Sequence, residues 1–277
     1  MNSWTKKSMD FAYQKGYLDN LLEIYPIKEN PKREMPPSLW KKIKVAYSQK
    51  DVKELIKLCN IGVKSHDLKF PIECYYASSL RNEKKWIDLN PTTVNSMGKL
   101  ILNSDIDVIF DRCTEPKKVS RQVGPMFSTW FVKKFQGFQG INLLGTSDSE
   151  KKQKAEKIIG YRSKEKGLDI FIQLNKIFII GEAKFITDAG GTQANQFRSA
   201  LYIVNTFKRK TNVIPLSIVD GHCWRKANDF FYRSIKNSKD DHIIISALLL
   251  EELFDTIGKL DIPEDKIPNN DIIKLLS

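Results

Sequence analysis

Residues 167–197 read GLDIFIQLNKIFIIGEAKFITDAGGTQANQF, and the placement of three polar side chains among the apolar ones decides the fold. Leu168–Leu174 and Ile177–Phe185 are rich in Ile, Phe and Leu, with Asn175 and Lys176 between them. Asn tolerates tight-turn backbone angles, so the pair reads as a β-hairpin. Side chains alternate faces along a strand, which puts Glu182 and Lys184 on the same side as Phe178 and Ile180. The turn then determines where Asp169 lies. A Leu174-Asn175 turn places it diagonal to Glu182, and an Asn175-Lys176 turn places it directly opposite. A three-residue turn would send it to the other face.

In either two-residue register, two carboxylates share one face of a sheet. Such a pair repels, and a cation relieves the repulsion. Mg²⁺ takes one or two carboxylates, keeps several waters and shares phosphate oxygens of a substrate. Asp169 and Glu182 are therefore candidate metal ligands, with the Ala183 carbonyl as a third oxygen. Lys184 is placed to hold an attacking water or to balance developing negative charge. The bland alternative is a charged strand edge that only opposes aggregation. The apolar runs on both sides argue against it, because charges buried there are costly unless paired or metal-bound.

Asp169, twelve intervening residues and then Glu182-Ala183-Lys184 resemble the PD-(D/E)XK nuclease motif. Leu168 stands in the place of the motif's proline. The segment FITDAGGTQANQF resembles the one that follows the catalytic lysine in type II restriction endonucleases. The likeness covers roughly residues 125–250. It implies a restriction-endonuclease-like α/β fold, a mixed β-sheet core flanked by helices. It also implies that Asp169 and Glu182 are metal ligands and that Lys184 orients water. A two-fold homodimer meeting a palindromic site in double-stranded DNA follows from the family as well. No acid before the hairpin stands out as a further ligand: Glu150, Glu156 and Glu165 all lie in a charged connection.

The rest of the chain fits an α/β scheme. Thr187–Gly191 is a turn, with Thr192 or Asp188 as the expected cap of the next helix. That helix carries an apolar stripe at Ala194, Phe197, Leu201, Val204 and Phe207. Gln193, Asn195, Gln196 and Arg198 are candidate contacts to bases or phosphates, since Asn and Gln pair with adenine and Arg with guanine. A solvated helix face is the ordinary alternative. Residues 212–219 read as a third strand interrupted by Pro215, and Ile243–Ile245 as a fourth before the chain turns helical. Pro125–Gln136 is an amphipathic helix anchored by Phe127, Trp130, Phe131 and Phe135, with Arg121 and Gln122 just before it as further substrate contacts. Ile106–Phe110 reads as a strand. Ser147–Lys157 is densely charged and reads as solvent-exposed.

The first part of the chain, residues 1–103, is mainly helical, with helix starts at Pro36-Pro37-Ser38 and Pro91-Thr92-Thr93. It is expected to clasp DNA, to pack on the catalytic core or to make the subunit interface, leaving residues 104–277 as the catalytic core. Over all 277 residues, 45 Lys and Arg against 33 Asp and Glu leave a net charge of +12. That balance suits a polyanion such as a phosphate backbone. No apolar run reaches bilayer length and the amino terminus lacks a signal-peptide core, so the expected setting is cytoplasmic. Cys59, Cys74, Cys113 and Cys223 are scattered, as are His66, His222 and His242, which argues against a zinc site.

The reading is a Mg²⁺-dependent, site-specific endonuclease acting on double-stranded DNA. The rivals are a sequence-nonspecific repair or recombination nuclease of the same superfamily, a non-catalytic DNA-binding module and an RNA-directed enzyme.

Overall fold

The computed structural model describes residues 1–83, 85–117, 122–162, 168–207, 212–227, 229–260 and 276. In chain order the elements are α1 (Ser3–Phe11), α2 (Tyr17–Leu21), α3 (Pro37–Ser48), α4 (Val52–Ser65), α5 (Tyr75–Asn82), α6 (Lys85–Leu89), α7 (Pro91–Leu102) and α8 (Ile106–Thr114). Then come α9 (Val123–Phe135), β1 (Ile141–Leu143), α10 (Asp148–Ile159), β2 (Ile170–Leu174), β3 (Ile177–Ile186) and α11 (Gly191–Thr206). The chain ends with β4 (Val213–Gly221), α12 (Phe230–Lys236), β5 (Ile243–Ile245) and α13 (Leu250–Gly258).

The chain forms two compact units, residues 28–121 and residues 1–27 with 122–277. The division differs from a single cut at 103/104 in two ways. Helix α8 belongs with the helical unit, and the first 27 residues return to the sheet unit.

The sheet runs β1-β2-β3-β4-β5. β1–β2–β3 are antiparallel, and β3–β4–β5 are parallel. It is therefore a mixed sheet, flanked by helices, in an α/β unit. The hairpin turns on Asn175-Lys176: Leu174 faces Ile177, and Asn175 has φ +54°. The parallel pairs need crossovers, which α11 and α12 supply.

Strand alternation sorts the core. Ile170, Ile172, Leu174, Ile177, Ile179 and Ala183 share one cluster with Phe127, Phe131 and Phe135 of α9. Phe171, Phe178 and Ile180 share another with Ala155 and Ile159 of α10 and Ile203 and Val204 of α11. Pro215 lies inside β4 opposite Ile180. Strand β5 joins only from Leu216 onward, so the proline falls where β4 has a single neighbour.

Edge strand β5 is covered by α1. The Thr5 hydroxyl accepts from the Ile244 N–H at 3.0 Å, and the Ser8 hydroxyl from the Ser246 N–H at 3.1 Å. Two side chains one helical turn apart thus occupy backbone donors that would otherwise recruit another strand.

Three local expectations are corrected. Ile106–Phe110 is helical, the start of α8, because Ile109 and Cys113 bury one helical face; a short apolar run does not distinguish strand from helix. Ser147–Lys157 is not a uniformly exposed tract: α10 buries Lys151, Ala155 and Ile159 at four-residue intervals. The N-cap of α11 is Gly190, not Thr192 or Asp188; the Asp188 carboxylate accepts from the Gly190 N–H at 2.6 Å instead.

At the end of β4, Asp220 is fully buried. It accepts from the Ser246 hydroxyl at 2.5 Å, the Ala247 N–H at 3.2 Å and the phenols of Tyr17 and Tyr25 at 3.2 and 3.5 Å. Burial raises its pKa to about 6, against the lowering effect of these bonds. The next residue, Gly221, has φ +86°, and a Cβ there would meet the Ile186 carbonyl at 2.5 Å. No side chain fits, so β4 can turn away from β3 only at a glycine.

A pH dependence follows for Asp220. The folded state binds this proton more tightly than the unfolded chain, so the stabilisation is full at low pH and is lost as pH rises through about 6. Relative to Asp220→Asn, the parent should lose about 2 kcal/mol of unfolding free energy between pH 4.5 and 7.5. Urea denaturation of both proteins across that range checks this; a difference that stays constant with pH would contradict it.

Candidate active site

The hairpin register extends to place Asp169, one residue before β2, opposite Glu182 on β3. The face they share lies toward α10 and α11. Asp169 Oδ2 accepts from the Ala183 N–H at 2.7 Å and from Lys184 Nζ at 3.4 Å. Lys184 Nζ also donates to Glu182 Oε1 at 2.5 Å and to the Ala183 carbonyl at 3.0 Å. One ammonium therefore gathers two carboxylates and a carbonyl from three consecutive residues of β3 and the start of β2.

The cluster is shielded from water: the side chains of Asp169, Glu182 and Lys184 are 14, 10 and 19 % exposed. Burial alone would lower the Lys184 pKa. The charges of Asp169 and Glu182, and its hydrogen bonds to both, outweigh burial and raise the amine above its ordinary value. Lys184 is thus a fixed cation at neutral pH. It can donate hydrogen bonds and neutralise charge.

Helix α10 supplies a residue not singled out from sequence. Lys151 reaches from its first turns to the Asp169 carbonyl at 2.8 Å and pairs with Asp148 at 3.6 Å, with its side chain 9 % exposed. The Asp148 carbonyl in turn accepts from the Leu168 N–H at 3.3 Å. These bonds hold the backbone on which Asp169 is mounted. The available signal was the helical stripe Lys151, Ala155, Ile159, hidden because its first member is a lysine. Tyr25 is a second addition. It packs on Phe185, with ring centroids 4.9 Å apart. Burial raises its phenol pKa, and the charges of Asp220 and Asp169 raise it further.

The acids before the hairpin have other occupations. Glu150 closes the start of α10, accepting from the Thr146 N–H at 2.9 Å and hydroxyl at 2.7 Å. Those bonds and Lys154 lower its pKa to about 2. Glu156 pairs with Arg162 at 3.6 Å, and Glu165 lies outside the described residues. Among the described residues, no three His, Cys, Asp or Glu side chains converge on one point.

The candidate substrate contacts separate. Gln193 Oε1 accepts from the Thr187 N–H at 3.3 Å, tying the start of α11 back to the end of β3. Asn195 accepts from Arg198 at 3.0 Å, and the Arg198 guanidinium lies 4.7 Å above the Phe230 ring. Arg198 also lines a groove of about 520 Å³ with Arg233, Lys239 and His242. Gln196 and Gln122 are half-buried, and Arg121 lies outside the described residues.

The donor chemistry fits a hard divalent cation. Every atom gathered on Lys184 Nζ is oxygen, two of them from carboxylates, as Mg²⁺ requires. No histidine or cysteine takes part, so the cluster lacks the softer donors usual for zinc.

A mixed α/β sheet with paired acids and a lysine on the hairpin strands is consistent with a nuclease. The family comparison is more specific. A model of the Tsp45I type II restriction enzyme family matches residues 2–257, and the chain belongs to that family. The match spans both compact units, and the family is one of site-specific endonucleases. No curated protein and no solved structure matches the chain.

Replacing Lys184 by Met should leave two carboxylates facing each other without their cation. The expected loss is about 3 kcal/mol of stability at pH 7.5. Most of it should return when Glu182→Gln is added, leaving a single carboxylate. Urea denaturation of the parent and both variants checks this; an equal loss in the single and the double variant would contradict the electrostatic reading of the cluster.

Proposed function

We propose that the protein is a Mg²⁺-dependent endonuclease with a PD-(D/E)XK, restriction-endonuclease-like core. It cuts double-stranded DNA at a specific sequence and acts as a cytoplasmic homodimer. The observation that carries this reading is the meeting of Asp169, Glu182 and the Ala183 carbonyl at Lys184 Nζ, in a chain belonging to a type II restriction enzyme family.

In the proposed mechanism Asp169, Glu182 and the Ala183 carbonyl would hold the ion. A divalent ion there supplies positive charge at the scissile phosphate and eases deprotonation of the attacking water. Lys184 would hydrogen-bond the water and the non-bridging phosphate oxygens as negative charge grows on them. Water adds to phosphorus in line with the leaving sugar oxygen, forming one P–O bond as the other breaks. Lys151 keeps Asp169 in place through its carbonyl. Gln193, Asn195, Gln196, Arg198 and Gln122 are the proposed DNA contacts, of which α11 carries four just beyond the site. The family match favours sequence-specific cleavage over a nonspecific repair role, and the complete Asp/Glu/Lys set favours catalysis over binding alone.

Digestion of a mapped plasmid tests this directly. Fixed bands should appear with Mg²⁺ and be absent with EDTA. Lys184→Ala should cut at a rate lower by about a hundredfold or more, while still retarding the same DNA fragment in a gel. A smear would favour the nonspecific nuclease. Unchanged cleavage by Lys184→Ala would remove the lysine from the mechanism.

A further inference from the structure

Within the sheet unit, a groove of about 520 Å³ opens between α11, α12 and the start of β5. Its floor is apolar, formed by the buried Leu201 and Ile244. Its rim carries three exposed cations from three segments: Arg198 of α11, Arg233 of α12 and Lys239 of the turn before β5. No Asp or Glu is among the described residues that line it.

The acids near it in the chain have other partners. Asp229 caps α12, accepting from the Tyr232 N–H at 2.9 Å, and its second oxygen faces His222 at 3.7 Å. Asp240 is paired with the amino terminus of Met1, and Asp241 lies 3.5 Å from His242. Among the described residues, none of the three rim cations is paired with a carboxylate. Cations gathered without counter-charge attract an anion. The two guanidiniums are also held in place. Arg198 lies 4.7 Å above the Phe230 ring and donates to Asn195 at 3.0 Å, and Arg233 Nε donates to the Asp229 carbonyl at 3.2 Å. Arg233 thus presents its terminal nitrogens outward, in the planar arrangement that suits phosphate.

Length decides between one phosphate and a chain of them. Arg198 and Asn205 both line the groove and lie two turns of α11 apart, about 10 Å. One DNA strand presents about three phosphates over that length. Asn205, Ser234 and Asn237 add neutral donors along the same walls, of the kind that contact phosphate and sugar oxygens beside Arg and Lys. Helix α11 starts at the end of β3, where Gln193 is bonded to Thr187, and the groove follows its later turns. Asp169, Glu182 and Lys184 do not line it.

We propose that this groove grips the DNA backbone away from the cleaved bond, with Arg198, Arg233 and Lys239 on its phosphates. It reads no bases and needs no divalent ion. The inference rests on the proposed activity on double-stranded DNA.

The test is fluorescence anisotropy of the full chain in EDTA, between about 50 and 200 mM salt, with two labelled duplexes. One carries the site cut in the mapped plasmid and the other an unrelated sequence. Arg233→Gln with Lys239→Gln should lower the slope of log K against log salt by about 2, since each lost phosphate contact removes about 0.9. Over that range the parent's affinity should therefore fall about tenfold further than the variant's, on both duplexes alike. Lys236→Gln, an exposed change on α12 outside the groove, should leave the slope unaltered. An unchanged slope in the double variant, a loss confined to the cut-site duplex, or an equal change per charge in Lys236→Gln would each overturn the groove and leave the nuclease reading intact. If the parent cuts nothing, the nuclease reading fails while the unrelated duplex still reads the slope, so the two failures are told apart. A parent that binds neither duplex would overturn both.

Discussion

Two carboxylates facing each other across a hairpin are the constraint around which the sheet unit is organised. Asp169 and Glu182 are largely screened from water, where like charges repel strongly. Their coexistence depends on a cation, and Lys184 supplies one from two residues along the same strand. The arrangement depends on the hairpin register: a shift of one residue would turn Asp169 to the far face. The two-residue turn at Asn175-Lys176, with Asn175 in the left-handed region, sets that register. A conformational choice at the turn thus determines electrostatics at the opposite end of the strands.

The surrounding elements keep that end rigid. Helix α10 holds the Asp169 backbone through Lys151, and α11 is joined to the end of β3 through Gln193. On the other side of the sheet, Asp220 gathers Tyr17, Tyr25 and Ser246. In this way the amino-terminal residues are bound to the ends of β4 and β5. Helix α1 completes the sheet by occupying the free edge of β5. The unit therefore needs residues from both ends of the chain, with the helical unit inserted between them.

Much of this was legible in local sequence. The hairpin, the stripe of α11, the aromatic anchors of α9 and the helices opening at Pro37 and Pro91 all follow from periodicity and from proline at a helix start. Local patterns left two turn registers open, and the choice between them came only with the structure. What remained hidden was long-range. Thr5 and Ser8 look like ordinary helix residues until β5, more than two hundred positions away, is beside them. Lys151 reads as a solvated charge unless its alignment with Ala155 and Ile159 is noticed. Ile106–Phe110 reads as a strand from sequence alone, because a five-residue apolar run carries too little periodicity to distinguish strand from helix. The boundary of the helical unit could not be read locally, since it depends on which helices pack together.

Catalysis at this site requires that the oxygens around Lys184 receive a divalent ion. Anomalous diffraction from crystals soaked in Mn²⁺, collected near the manganese edge, measures this directly. The predicted result is one strong peak within coordination distance of Asp169, Glu182 and the Ala183 carbonyl, with the Lys184 ammonium displaced toward the substrate side. A peak elsewhere with this cluster unchanged, or no peak at saturating Mn²⁺, would contradict it.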